Sequence, residues 1–308
     1  MSTTPSNIEA AVAALSAGDL VAFPTETVYG LGADARNPEA LRKVYALKGR
    51  PATHPLILHL HSVDELSAWA ADIPAAAQRL AARFWPGPLT LVLRRAAGVP
   101  DELTGGQDTV AIRIPAHPVA RALLAAFGSG IAAPSANRYG RVSPTRAAHV
   151  REEFPQDLLI LEGGDCEVGL ESTIVSLTGP VPRLLRPGAI SRAAIEAELA
   201  EPLQTGAEGS PRVPGSTPQH YAPQTPLELV ARGTLPAAVA AASARGERVV
   251  TLACPQGADA AGYGRALYAE LRRLDKLGAS RILAEQVPST PEWDAVRDRL
   301  ARAAATFL

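Results

Sequence analysis

Lysine is scarce in this chain: of 30 basic residues only Lys43, Lys48 and Lys276 are lysines, and the rest are arginine. Where arginine is the default cation, a lysine marks a place for a compact ammonium. Cysteine is scarcer still. Cys166 and Cys254 lie far apart, with no Cys-x-x-Cys and no histidine at ligand spacing, which excludes a disulfide framework and a zinc site and leaves two small core or loop residues. Neither sign of charge is in excess, since 30 basic residues face 31 acidic ones. That balance excludes a strongly polybasic nucleic-acid or membrane surface but leaves room for a local basic cleft. Long apolar runs are missing, and the N-terminal MSTTPSNIEAAVAALSAGDL has neither a basic region nor a signal-like apolar core. The expectation is a cytoplasmic chain without a membrane segment. G-x-x-x-x-G-K-[ST] is absent, Gly30-Leu31-Gly32 lacks the third glycine of a dinucleotide fingerprint, and no fixed-period repeat is evident.

What is present is an alternation of helix and strand signals over 308 residues, more than one core usually organises, so about two domains are expected. Helices are predicted at Ile8–Ala17, Pro38–Leu47, Ser62–Ala71, Ala75–Phe84, Pro118–Gly128 and Ala193–Ala200. Asn37 caps the second of these and Pro38 fills its first turn. Strands are predicted at Leu20–Phe23, Leu56–Leu60, Leu89–Leu93, Val110–Ile114, Ile131–Ala133, Leu158–Leu161 and Thr173–Leu177, an α/β pattern. From Glu201 to Thr225 the composition turns to Pro, Gly, Ser, Thr and Gln, which reads as a linker rather than a packed element. Beyond it, strands at Leu227–Val230, Arg248–Leu252 and Arg281–Val287 alternate with helices at Pro236–Arg245, Tyr263–Leu277 and Pro291–Thr306, as in a small parallel sheet. The domains are therefore 1–200, a linker 201–225, and 226–308.

Polar residues gather at strand ends. FPTETVYGLGADA, residues 23–35, is a polar, turn-prone segment following a strand, where α/β folds place ligands; a plain turn is the other reading. In KGRPATHPLILHL, Lys48 and Arg50 flank a glycine and precede a proline in a stiffened loop ahead of an apolar strand. Either they are a solvated pair or, as the fixed spacing favours, they meet a polyanion such as a triphosphate. His59 reads as a hydrogen-bonded structural residue more readily than as a base. Arg113 lies within the apolar strand VAIRI, so it needs an anion, either a ligand carboxylate or an internal acid. IAAPSANRYGRVSPT brings Ser135, Asn137, Ser143 and Thr145 into one loop able to form an anion-binding concavity. GLESTIVSL and LLRPGAIS add Ser172, Thr173 and Arg186 beside strand-like runs.

These segments, with FWPGPLTLVL and AIRIPAHP, occur in one order over most of residues 20–190. They resemble the YrdC-like domain of the threonylcarbamoyl-AMP synthases. PGSTPQHYAP and the α/β tail after it resemble the long, two-domain branch of that family. The resemblance implies a concave, twisted mixed sheet with a positively charged cleft, followed by a Rossmann-like domain on a linker that can lie over the cleft. It implies that L-threonine, bicarbonate or CO2, and ATP are joined to give L-threonylcarbamoyladenylate and pyrophosphate. Partner transferases would use that product to modify adenosine 37 of tRNA, and a direct tRNA contact is a further expectation. By matched position, the resemblance puts Lys48, Arg50, Thr109, Ser135, Asn137, Ser143, Arg186 and Tyr221 on ATP. It puts Thr25, His59, Arg113 and Ser172 around threonine. Magnesium would bridge the phosphates, with Glu26 and Glu171 the nearest carboxylates for water-mediated contact. Two rival readings are a non-catalytic double-stranded RNA-binding module, against which the neutral charge balance argues, and a carbamoyltransferase of the hydrogenase-maturation type. The second needs zinc fingers that two cysteines cannot supply.

Overall fold

The computed structural model describes residues 5–154, 156–206, 209–215 and 220–305. The first domain opens with α1 (Pro5–Ser16), β1 (Val21–Phe23), β2 (Gly30–Asp34), α2 (Pro38–Lys48) and β3 (Ile57–His59). It continues through β4 (Ala70–Ala71), α3 (Ala75–Phe84), β5 (Leu89–Arg95), α4 (Asp101–Thr104), β6 (Thr109–Arg113), α5 (Pro118–Phe127) and β7 (Ile131–Ala132). It ends with α6 (Ala147–Glu153), β8 (Leu159–Ile160), β9 (Thr173–Ser176), β10 (Arg183–Arg186) and α7 (Arg192–Leu199). Its strands form one mixed sheet in the order β10-β9-β5-β6-β3-β7-β2-β1-β8, with β4 added on β5. The second domain holds β11 (Leu227–Val230), α8 (Leu235–Ala244), β12 (Val249–Leu252), α9 (Ala260–Asp275), β13 (Arg281–Glu285) and α10 (Asp294–Ala304). Its small sheet is all parallel, ordered β11-β13-β12.

Alternation along each strand divides the large sheet into two faces. Leu31, Leu58, Leu91, Ile112 and Val175 point into the main core with Leu41, Val44, Leu80 and Ile195 of the helices. On the opposite face, Val21, Phe23 and Ile131 meet Leu15 of α1 and Leu123 and Leu124 of α5. Those helices stop short of β3, β6, β5 and β9. There Ile57, Ala111, Val92 and Ile174 are covered instead by Val213 from the linker. This half-covered face carries a polar hollow.

Several sequence expectations change. The segment predicted as a helix over Ser62–Ala71 is a 3-10 helix, Val63–Ala68, followed by β4; Ser62 and Glu65 close a capping box that fits a single tight turn. Part of the turn-prone segment, Gly30–Asp34, is the strand β2, whose glycines let it pass under Phe23. α6 and β10 are additions, both carrying charged residues that blur the apolar period. The linker is packed, not free: Val213, Pro214, Gly215, His220 and Tyr221 are buried, while residues 216–219 lie outside the described residues. Among the described residues no helix is long and apolar enough to cross a membrane.

The two domains share one apolar cluster, in which Val28, Val142 and Leu170 of the first meet Leu267, Tyr268, Leu271, Val296 and Leu300 of the second. At Gly169 (φ 76°), a Cβ would fall 2.6 Å from the Arg265 backbone, so only glycine lets α9 come so near. The second domain is thus clamped onto the first.

Candidate active site

Of the twelve residues expected around substrates, eight line one hollow over the half-covered face: Thr25, Arg50, His59, Arg113, Ser135, Ser172, Arg186 and Tyr221. Pro214, His220 and Tyr221 of the linker form its roof. The other four stand behind or beside the lining, and each has a physical reason.

Lys48 is not a loop residue but the last residue of α2. The helix ends one step later because Gly49 adopts the left-handed conformation (φ 64°) and returns its N–H to Ala46 O. The Lys48 ammonium turns inward, donating to the carbonyls of Ser135 (2.6 Å) and Asn137. It therefore supports the Ser135 loop from behind. Asn137 likewise donates its amide to Arg138 O and Arg141 O, bracing that loop. Ser143 donates to Glu171 at 2.5 Å. Thr109 lies on the same face of β6 as Arg113, but four residues back, about 13 Å along a strand.

Arg113 has an internal acid, one of the two anions that its place in an apolar strand called for. Its Nη2 faces Glu26 Oε1 at 2.6 Å, both side chains buried, without the alignment of a hydrogen bond. Its Nη1 donates to Thr27 Oγ1 at 2.7 Å, and its Nε to Gly87 O at 3.3 Å. A guanidinium carries more N–H groups than these contacts use, so the fork keeps donors for a carboxylate in the hollow. Burial opposes ionisation of Glu26, but Arg113 outweighs it and lowers the carboxyl's pKa. Thr25 builds the turn that presents this group: its hydroxyl accepts the N–H of Thr27 and Val28 and donates to Val28 O. His59 is fully enclosed, with Nδ1 3.1 Å from Ile57 O and its ring edge-on to Phe23. Burial, then Arg113, pushes its imidazole down to about 3, so it is a neutral structural residue rather than a base.

The nucleotide-assigned cations are solvated differently. Among the described residues Arg50 donates only to the carbonyls of His54 and Pro55. Arg186 donates to Ser172 O, Ser172 Oγ and Pro214 O. Together with Lys48 they are 7%, 2% and 3% exposed, and among the described residues none has an acid within ion-pair distance. Burial lowers the pKa of all three, that of Lys48 well below the lysine range.

Glu171, at the far wall, is consumed by the protein. It accepts from Ser143, from Tyr268 of α9 at 2.8 Å, and from Arg299 of α10 at 2.8 Å. Burial opposes its ionisation, but Arg299 and then Arg186, with the Ser143 hydrogen bond, hold it down at about 2. Tyr221 stacks on Tyr268 at 5.7 Å with the Arg299 guanidinium 5.1 Å above its ring. Its φ of 64° is strained for a bulky residue, and its hydroxyl has no hydrogen-bond partner among the described residues. A Cβ on Gly215 would sit 2.3 Å from that hydroxyl, so the linker turn presses directly on it.

With Glu26 and Glu171 both engaged by arginines, neither is free to hold a metal. Among the described residues no three His, Cys, Asp or Glu side chains gather for one. Thr27, Tyr268, His220 and Arg299 escaped the sequence reading. For Arg299 a signal existed: it occupies an apolar-stripe position with Val296, Leu300 and Ala303, where an arginine must find an anion.

Two family models together match most of the chain. Residues 13–188 match the family model described as "Telomere recombination", and residues 190–305 match "Threonylcarbamoyl-AMP synthase, C-terminal domain". A threonylcarbamoyl-AMP synthase of Pyrococcus abyssi is 41% identical over 307 residues, covering 93% of this chain and 90% of the relative. One from Bacillus subtilis is 37% identical over 328 residues, covering 99% and 94%. The crystal structure of P. abyssi Sua5 complexed with L-threonine superposes with a TM-score of 0.91 at 39% identity, covering 96% of this chain and 94% of that one. The chain belongs to the threonylcarbamoyl-AMP synthase family.

Proposed function

We propose that the hollow beneath the linker is where this synthase binds L-threonine beside ATP and makes L-threonylcarbamoyladenylate. The observation that carries this reading is the group of three buried cations, Lys48, Arg50 and Arg186, held by carbonyl oxygens and the Ser172 hydroxyl and, among the described residues, by no acid. A buried charge without a counter-ion is costly, and a polyphosphate supplies one. Arg50 and Arg186 face the ligand directly, while Lys48 raises the positive potential from behind the Ser135 loop. Ser135 offers a hydroxyl beside them. Arg113, Thr25, His59 and Ser172 form the other end, where the guanidinium fork receives the threonine carboxylate; that a P. abyssi relative was solved in complex with L-threonine supports an amino-acid substrate.

The threonine amine captures CO2, or bicarbonate with loss of water, and gives up a proton to form a carbamate. A carbamate oxygen then attacks the α-phosphorus, the bond from that phosphorus to the bridging oxygen breaks, and pyrophosphate leaves with the electron pair. The chain's own part is alignment and charge neutralisation, with no side chain forming a bond. Magnesium enters as part of the ATP substrate, held by phosphate oxygens and water, since it binds with few protein ligands. On this reading residues 1–200 are the catalytic unit, 201–225 the roof, and 226–308 a buttress. The labile product passes to a transferase that modifies tRNA.

Threonine-dependent pyrophosphate release from ATP in bicarbonate buffer tests the proposal. An RNA-binding module without chemistry gives no release. Arg50→Ala should raise the KM for ATP more than that for threonine, and Arg113→Ala the reverse. Equal loss of both substrates in both variants contradicts the assignment.

A further inference from the structure

We propose that Arg299 of α10 is a positioning residue for the nucleotide: by neutralising Glu171 it keeps Arg186 free of an acid and available to phosphate. The inference rests on the reading of Arg186 as a nucleotide ligand.

Three observations carry it. First, Arg299 belongs to the second domain but shares its charge between Asp298 of its own helix, 2.7 Å from its Nη1, and Glu171 of the first domain. Its side chain is 0% exposed, its Nε donates to Glu171 Oε2 at 2.8 Å, and its Nη1 donates to Pro187 O at 3.0 Å, one residue beyond Arg186. Second, Glu171 lines the hollow and immediately precedes Ser172, whose carbonyl and hydroxyl anchor Arg186. Carboxylate and guanidinium are therefore neighbours, and after Arg299 the strongest cationic influence on Glu171 is Arg186. Third, among the described residues Arg186 has only carbonyl and hydroxyl acceptors, while Arg299, Tyr268 and Ser143 occupy both Glu171 oxygens.

Without Arg299, Glu171 would be a buried carboxylate held only by hydroxyls, in a low-dielectric setting that strengthens its pull on the next cation. Arg186 would be drawn into an internal pair, and the charge meant for phosphate would be cancelled. The buried arginine in the apolar stripe of α10 thus makes the second domain part of the nucleotide site without touching the nucleotide.

The test compares Arg299→Met with the double variant Glu171→Gln/Arg299→Met in the full-length chain. Arg299→Met should raise the KM for ATP tenfold or more while the KM for threonine moves less than threefold. Adding Glu171→Gln removes the stray anion and should return the KM for ATP to within threefold of the parent. A merely structural pair would also be relieved by Glu171→Gln, but its loss would impair use of both substrates alike rather than raise the KM for ATP alone. A double variant as impaired as the single one, or an Arg299→Met variant that loses both substrates alike, overturns the proposal. If Arg299→Met does not fold, the neutral double variant decides alone, a tenfold higher KM for ATP standing against the idea. Arg186→Met separates the two levels: an unchanged KM for ATP there refutes the nucleotide reading itself, whatever Arg299 does.

Discussion

The two ends of the hollow solve the problem of a buried cation in opposite ways. At one end Arg113 has its own acid, Glu26, and a hydroxyl from Thr27. At the other, among the described residues, Arg50 donates to carbonyls and Arg186 to carbonyls and the Ser172 hydroxyl, with no acid in ion-pair reach. The difference matches the charge of what each end is proposed to receive. An amino acid brings one carboxylate and needs a guanidinium aimed along a fixed direction, which an ion pair behind it provides. A triphosphate brings several charges and needs net positive potential, which an internal acid would cancel. The second domain enters on the same principle, removing Glu171 from the nucleotide end by way of Arg299.

The sharpest way to break this comparison is to take away an acid and, separately, a cation. Glu26→Ala leaves Arg113 buried and unpaired and should cost about 3–5 kcal/mol in denaturant unfolding. A loss below about 1 kcal/mol would mean that the pair is not structural. Arg186→Met should do the opposite, changing stability by less than about 1.5 kcal/mol while raising the KM for ATP about 100-fold, or ~2.7 kcal/mol. A large fall in stability with ATP use intact would erase the distinction between the two ends.

Acid unfolding sharpens it further. His59 and His220 are held neutral to about 3, against 6.5 when unfolded, with burial the leading cause for both. Between those values only the unfolded chain takes up their protons, so stability is full above about 6.5 and falls as pH drops, by about 1.4 kcal/mol per pH unit for each histidine. Glu26 and Glu171, depressed below 4.5, add their loss only beneath that pH. Denaturation followed from pH 7.5 to 4.5 should therefore slope downward, and a flat profile there would contradict the neutral histidines. The smallest effect belongs to Lys276→Ala, which removes an exposed pair with Glu152 and should cost under about 1 kcal/mol. A larger loss, read from the melting temperature, would show that this lysine does more than its surface pair indicates.

Much of this was legible in the sequence where a local rule was at work. The ends of α2 follow from Asn37, Pro38 and Gly49, and the parallel order of the second sheet follows from its alternation. The lysine signal was selective: Lys43 and Lys276 make surface pairs, and only Lys48 is buried. Arg113 announced its need for an anion by standing in an apolar strand, but not which anion. The acid lies 87 residues earlier, and only the folding of the 25–28 turn against β6 brings it there. β2 was hidden because its two glycines and its burial on both faces remove the polar alternation that marks a strand.

The sequence by itself determined the periodic elements, the two-part chain and the kinds of group at the strand ends, because caps, alternation and turn chemistry act between near neighbours. Which cations keep an acid and which go without was decided by tertiary structure alone. Charge partnership in a buried site depends on side chains far apart in the chain, 87 residues for Glu26 and Arg113 and 128 for Glu171 and Arg299, meeting where water is excluded.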